Sequence, residues 1–151
     1  MGTPPGDALC QFVPPFMRFL REGLAELNLS PARFQILQAL NHGGALSMVE
    51  LAGLLSVTKR NITTLVDGLE KDDLAARRPH PTDRRSTLVE LTATGHAVFA
   101  QAARAQRAHL EHLLATLDPK QQKDMAQALT RLTQAMTTGS QLSAPGPQGR
   151  E

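Results

Sequence analysis

The sequence predicts a mainly α-helical fold with a small two- or three-stranded β ribbon, and three stretches carry that expectation. Residues 47–70 hold two short amphipathic segments, the second with cations and amides on its polar side. A pair of strand-like runs follows at once, with Asp83-Arg84-Arg85-Ser86 at its tip. Residues 93–117 are then Ala- and Leu-rich and free of proline, the composition of a long helix.

In chain order, residues 1–6 are small and proline-rich and are expected to be a disordered tail. The segment from Asp7 to Leu27 contains Phe12, Phe16, Phe19, Leu20, Leu24 and Leu27 but is interrupted by Pro14-Pro15. A helix is therefore expected to start or restart near Pro15, where the first turn tolerates proline. Ser30-Pro31 reads as an N-cap followed by an N1 proline, with Phe34, Ile36, Leu37 and Leu40 as the core face of a helix ending near Asn41-His42-Gly43-Gly44.

Ser47-Met48-Val49-Glu50 is an S-x-x-E capping box, so a helix begins near Met48, with Val49, Ala52 and Leu55 expected to face inward. Ser56-Val57 leaves only a tight connection before a second cap-like residue, Thr58. From Thr58 to Glu70, Ile62, Leu65, Val66 and Leu69 fall at i, i+3, i+4 and i+7 and form one apolar stripe. The opposite face offers Lys59, Arg60, Asn61, Thr63 and Thr64, cations suited to phosphates and small or amide side chains suited to base edges. The alternative is an ordinary solvated face. Two short helices joined by a tight turn make a helix-turn-helix.

Leu74 to Arg78 and Thr87 to Thr92 read as short strands around the turn-prone His80-Pro81-Thr82-Asp83. The ribbon concentrates Arg77, Arg78, Arg84 and Arg85 against Asp83 alone, and such a basic hairpin can follow a phosphate backbone or enter a minor groove. Asp83, two residues from Arg85, is placed to hold its guanidinium in one orientation, or else forms a solvated ion pair of little worth. Beyond the long helix, Asp118-Pro119 opens another running to about Thr137, which completes a helical hairpin. Val98, Phe99, Leu113, Leu114, Leu117, Met125, Leu129, Leu132 and Met136 exceed what a small winged domain can bury alone. That surplus points to a subunit interface or to an intramolecular helical layer.

Composition sets outer limits. A chain of 151 residues, 41% apolar and 20% charged, suits one globular domain. No apolar run reaches the length of a membrane span, and no signal peptide is read, so the cytoplasm is the expected location and no membrane the expected partner. A single cysteine cannot build an internal disulfide framework. A net charge of +2 makes the placement of the cations matter more than their number. With 3% aromatic residues and no Trp or Tyr, the chain is poor in stacking platforms for single strands, which favours duplex nucleic acid. Gly-rich phosphate loops, nucleophile elbows and metalloprotease helix motifs are missing from the sequence, so a non-enzymatic role without cofactor or metal is expected.

The helix pair and the run DRRSTLVELTATG resemble the multiple-antibiotic-resistance regulator (MarR) family of winged helix-turn-helix repressors. The resemblance extends outward to SPARFQILQALNHGGALSMVELAGLL and DPKQQKDMAQALTRL, covering about residues 16–137. It implies a homodimer that sets a recognition helix in each of two major grooves and a wing arginine in the flanking minor groove. Carried over, Thr58, Lys59, Arg60, Asn61, Thr63 and Thr64 form the base-reading end of the helix. Asp83, Arg84, Arg85 and Ser86 form the wing, with Arg85 the probe and Asp83 its orienting partner. The chain departs from many relatives at Thr64 and Gly68, where those carry Arg, and at Asp73, where they usually carry Gly. Asp tolerates the left-handed conformation such a turn needs.

The same resemblance implies an N-terminal dimerisation helix over 7–29, a winged helix-turn-helix region over 30–92 and a dimerisation hairpin over 93–137, while the lack of an apolar period predicts a disordered tail over 138–151. The dimer interface is expected to use Phe12, Phe16, Leu20, Leu113, Leu117, Leu129, Leu132 and Met136. The expected function is a ligand-responsive repressor acting on a pseudo-palindromic site. The alternatives are a winged-helix adaptor for ligands or partners, or a thiol- or metal-responsive relative. A small aromatic or anionic effector is the expected trigger, with Arg18, Arg21 and His42 as anion partners or plain surface. Cys10 lacks neighbouring cations to activate it. His109 and His112 share a helix face with Glu111 pointing elsewhere, which reads as a solvated pair rather than a metal site.

Overall fold

A computed structural model describes residues 2–138. The elements run α1 (Pro5–Ala25), α2 (Pro31–Gly43), β1 (Leu46–Ser47), α3 (Met48–Leu55), α4 (Lys59–Lys71), β2 (Ala75–Pro79), β3 (Thr87–Leu91), α5 (Ala93–Leu114) and α6 (Pro119–Thr138). The chain forms two compact units that divide between His109 and Leu110. This boundary falls inside α5, not at residue 93, because Val98, Phe99, Ala102 and Ala103 pack on the first unit's core.

That core is built from the apolar stripes of several helices. Phe34, Ile36, Leu37 and Leu40 of α2, Ile62, Val66 and Leu69 of α4, Leu51 of α3, Val89 of β3, and Leu24 of α1 are all buried. Phe99 stacks on Phe34 with ring centroids 5.6 Å apart, so Val98 and Phe99 do not belong to an apolar surplus left for a partner. In α3 the inward residue is Leu51, with Ala52 and Leu55 partly buried beside it. Val49, expected inside, is 78% exposed.

The helix ends follow their local chemistry. Ser30 accepts from the Arg33 amide at 3.2 Å with Pro31 at N1, and Gly44 closes α2 at φ 72°. Ser47 and Glu50 exchange their bonds: the Glu50 amide donates to Ser47 Oγ at 3.2 Å, and the Ser47 amide donates to Glu50 Oε2 at 2.7 Å. The Ser47 amide and, to a smaller extent, its hydroxyl donate to the Glu50 carboxylate and hold it below its ordinary value. In the second unit, Asp118 accepts from the Gln121 amide at 2.8 Å, and Gln122 Nε2 donates to the Leu114 and Leu117 carbonyls at 3.0 and 3.1 Å.

Helix α1 begins at Pro5, inside the stretch expected as a tail, and runs through Pro14 and Pro15 instead of restarting there. The two prolines cannot bond the carbonyls of Cys10 and Gln11, but both of those residues are exposed and water can serve them. The expected C-terminal tail lies outside the described residues apart from Thr138, which closes α6. No helix of the described residues is long and apolar enough to cross a membrane.

Three antiparallel strands form one sheet in the order β1, β3, β2. Leu46 pairs with Val89, and the ribbon runs from Ala75 opposite Leu91 to Pro79 opposite Thr87. The strand β1 makes the sheet three-stranded, and Ser47 is both its last residue and the cap of α3. Asp73 adopts φ 56°, so Asp does take the left-handed conformation expected of this turn. Its carbonyl accepts from Thr92 Oγ1 at 2.5 Å and its carboxylate from Thr94 Oγ1 at 3.2 Å, which fastens the start of the ribbon to its end.

Candidate nucleic-acid interface

Thr58 caps α4 by accepting from the Asn61 amide at 3.2 Å, and the buried stripe Ile62, Val66 and Leu69 fixes which side of the helix faces out. Lys59, Arg60, Asn61 and Thr64 are exposed, while Thr63 is half-buried. Thr63 Oγ1 donates to the Lys59 carbonyl at 2.8 Å and Thr64 Oγ1 to the Arg60 carbonyl at 3.2 Å. Each hydroxyl proton is thereby committed to the helix, which leaves these threonines methyl groups and acceptor lone pairs to offer outward.

The ribbon's tip is ordered by its own side chains. His80 Nδ1 accepts from the amides of Thr82 and Asp83 at 3.2 and 3.1 Å, and the Ser86 amide donates to the Asp83 carbonyl at 3.0 Å. Asp83 Oδ1 accepts from the Arg85 amide at 2.9 Å, so Asp83 positions Arg85 through the backbone rather than by gripping its guanidinium. Asp83, Arg84 and Arg85 are exposed and Ser86 half-buried.

The four arginines of the ribbon do not act alike. Arg77 pairs with Asp67 at 2.7 Å and with Glu70, both on α4, and its own amide donates to Glu70 Oε1 at 2.9 Å. Burial works against the Arg77 charge, but the bonds to Asp67 and Glu70 outweigh it and raise its pKa. Arg78 pairs across the ribbon with Glu90 at 3.2 Å. Arg77 and Arg78 are therefore matched within the fold, whereas Arg84, Arg85, Lys59 and Arg60 have no ion-pair partner among the described residues. Arg77 joins the outward helix to the ribbon, so the two basic elements form one framework.

Sequence reasoning missed Arg33. Its guanidinium donates to the Gly68 carbonyl at 3.2 Å and the Asp72 carboxylate at 2.5 Å, and lies 3.5 Å from the Asn28 carbonyl. A signal existed: Arg33 sits in the first turn of α2, where the helix dipole disfavours a cation. A cation placed there has a reason elsewhere.

The other expected sites are scattered. Arg18 lies 4.0 Å from exposed Glu22. His42 lines an open depression of about 630 Å³ with Gln35, Gln38, Ala39, Leu46, Leu54 and Leu55. Cys10 is exposed. His109 is not half of a solvated pair: its ring stacks on Phe19 at 3.8 Å, with Nε2 buried. Among the described residues no three His, Cys, Asp or Glu side chains converge as metal ligands would. Of the residues expected at a subunit interface, Phe12, Leu129, Leu132 and Met136 are exposed, and Phe16, Leu20, Leu113 and Leu117 are half-buried.

Residues 29–87, from the end of the first turn through the tip of the ribbon, match the model of the MarR family. The chain is 34% identical over 84 residues to the multiple antibiotic resistance protein MarR of Escherichia coli K12, covering 56% of this chain and 58% of that one. It is 28% identical over 132 residues to the HTH-type transcriptional repressor MdtR of Bacillus subtilis 168, covering 87% of this chain and 83% of the relative. Its structure is similar to that of a mutant E. coli MarR complexed with operator DNA, with a TM-score of 0.73, 27% identity and coverage of 85% and 93% of the two chains.

Proposed function

Because the chain belongs to the MarR family of transcriptional regulators, we propose that it is a sequence-specific duplex-DNA-binding regulator, a repressor that occupies a pseudo-palindromic operator as a homodimer. The observation that carries this reading is the pairing of the cations. The fold neutralises Arg77 and Arg78 but leaves Lys59 and Arg60 on the helix, and Arg84 and Arg85 on the ribbon's tip, free of partners among the described residues. Cations left open on two braced elements suit one helix in a major groove and one wing along the adjacent backbone or minor groove. Asn61 and Thr64 then read base edges, and Arg85 is the wing probe. Two such heads on a dimer face half-sites about one helical turn apart. A small aromatic or anionic effector is the proposed trigger, acting only through unequal affinity for the DNA-competent and DNA-incompetent states. No catalytic role is proposed.

Fluorescence anisotropy on duplex from the protein's own upstream region, against scrambled duplex at two salt concentrations, tests the reading. Operator binding about a thousandfold above the scrambled control at physiological salt is the expected result. Arg85→Ala is expected to weaken operator binding by roughly tenfold to hundredfold, as loss of a groove contact does. Equal affinity of Arg85→Ala and the parent protein removes the wing from the mechanism. Weak, salt-sensitive binding to both duplexes favours a ligand- or partner-binding adaptor, the reading that Thr64, Gly68 and the small net charge keep open, or an operator elsewhere in the genome.

A further inference from the structure

We propose that Arg33 is a positioning residue for DNA reading, a clamp that sets the tilt of α4 from its rear end. The inference rests on the DNA-reading role proposed above. One side chain meets three groups: the Asn28 carbonyl in the joint after α1, the Gly68 carbonyl in the last turn of α4, and the carboxylate of Asp72, the residue that caps α4. Gly68 O already accepts from the Asp72 amide at 3.3 Å, so the guanidinium completes the coordination of a helix C-terminus, where a cation is favoured. The Arg33 side chain is 17% exposed, which strengthens these contacts relative to a solvated pair.

The site is specific to a guanidinium. Its terminal nitrogens make the three contacts while Nε is buried without a partner, so the residue is held by its fork. A lysine carries one nitrogen and cannot span three acceptors spread over two segments. Gly68 contributes its carbonyl rather than an avoided clash, because a Cβ built there meets nothing within 4 Å.

The contact lies at the opposite end of α4 from Lys59 and Asn61, and this separation gives it leverage. Nine residues at 1.5 Å per residue place Lys59 about 14 Å from Gly68, so a tilt of about 5° at the rear moves the reading end by roughly 1 Å. A displacement of that size takes a base-edge hydrogen bond out of range. Arg77 braces the same helix against the ribbon through Asp67 and Glu70, so loss of Arg33 loosens the rear of α4 toward the joint between α1 and α2, while its buried stripe and its tie to the wing remain.

The test uses the full chain with Arg33→Met, which keeps the apolar stem, Arg33→Lys, and Asp72→Asn, which leaves the Gly68 contact in place. Arg33→Met is expected to lower operator affinity about tenfold while binding to scrambled duplex and the salt slope stay as in the parent. Arg33→Lys is expected not to rescue, and Arg33→Met with Asp72→Asn is expected to cost no more than Arg33→Met alone. Hydrogen exchange in the DNA-free protein should accelerate in the last turn of α4 more than in α2. Parent affinity in folded Arg33→Met overturns the proposal. So does an equal loss on both duplexes with a salt slope reduced by about one, which would make Arg33 a phosphate contact. Should Arg33→Met fail to fold, Arg33→Lys decides: a preserved operator-to-scrambled ratio overturns the clamp, and a reduced one supports it. A parent protein that does not discriminate between duplexes counts against the proposed function, or places the operator elsewhere in the genome. The clamp is then judged by exchange alone, and unchanged protection in α4 overturns it.

Discussion

A methyl group at Gly95 would stand 1.9 Å from the Leu74 carbonyl oxygen, a backbone atom that cannot swing aside. The Gly95 amide is also spoken for, donating to Thr92 Oγ1 at 2.9 Å, while the Leu74 carbonyl accepts from the Thr92 amide at 3.2 Å. The first turn of α5 is thus pressed on the start of the ribbon with no room for a side chain. Gly95→Ala is expected to destabilise the fold by about 3 kcal/mol or more, as overpacking against fixed neighbours does, and urea denaturation measures it directly. Near-parental stability would mean that the backbone gives way there. The glycine of the L-T-x-x-G run was visible in the sequence as part of a pattern, but its reason was not. Only the approach of Leu74, 21 residues earlier, explains it.

The short helix α3 depends on its cap, and the cap depends on a charge. The Glu50 carboxyl titrates below its ordinary value because the Ser47 amide and hydroxyl bond its ionised form, and His80 adds a smaller favourable field. A carboxyl lowered in the folded state contributes stability that is complete above the unfolded value near 4.5 and is lost as pH falls through the lower folded value. Glu50→Gln is therefore expected to lower stability at neutral pH and to converge on the parent protein below pH 4.5. Thermal melts across that range check it, and a constant offset at every pH would show that the charge is irrelevant. The cap itself was legible from four residues, as were the caps at Ser30 and Thr58, because capping is local chemistry. The inward face of α3 was not. In MVELAGLL the apolar residues lie nearly all round the helix, so periodicity cannot choose between Val49 and Leu51, and only the packing against neighbouring elements does. The ribbon poses the same problem for charge. A cluster of Arg77, Arg78, Arg84 and Arg85 is plain in the sequence, yet which pair stays open depends on Asp67 and Glu70 from α4 and Glu90 from the facing strand.

At the scale of the whole molecule, exposed apolar side chains stand in rows on the two terminal helices, besides Val49 and Leu54 on α3. Leu9, Phe12, Val13 and Met17 on α1 are 42–48% exposed, and Leu129, Leu132 and Met136 lie bare along one side of α6 at i, i+3 and i+7. Among the described residues α6 buries none of its own, so it has the apolar stripe of a packed helix without the packing. A second copy of the chain is the proposed cover for these stripes, and DNA binding supplies the functional stake. Two linked reading heads convert the second half-site contact into an intramolecular event, which raises affinity by roughly 10²–10⁴ over a single head. Leu129→Glu with Leu132→Glu should therefore dissociate the dimer in analytical ultracentrifugation and reduce operator affinity by a factor in that range. The first unit, whose core contains neither residue, should keep its helical circular dichroism. A variant that stays dimeric removes the α6 stripe from the interface. A monomer that retains parental affinity would show that one head is enough, and the operator need not then be palindromic.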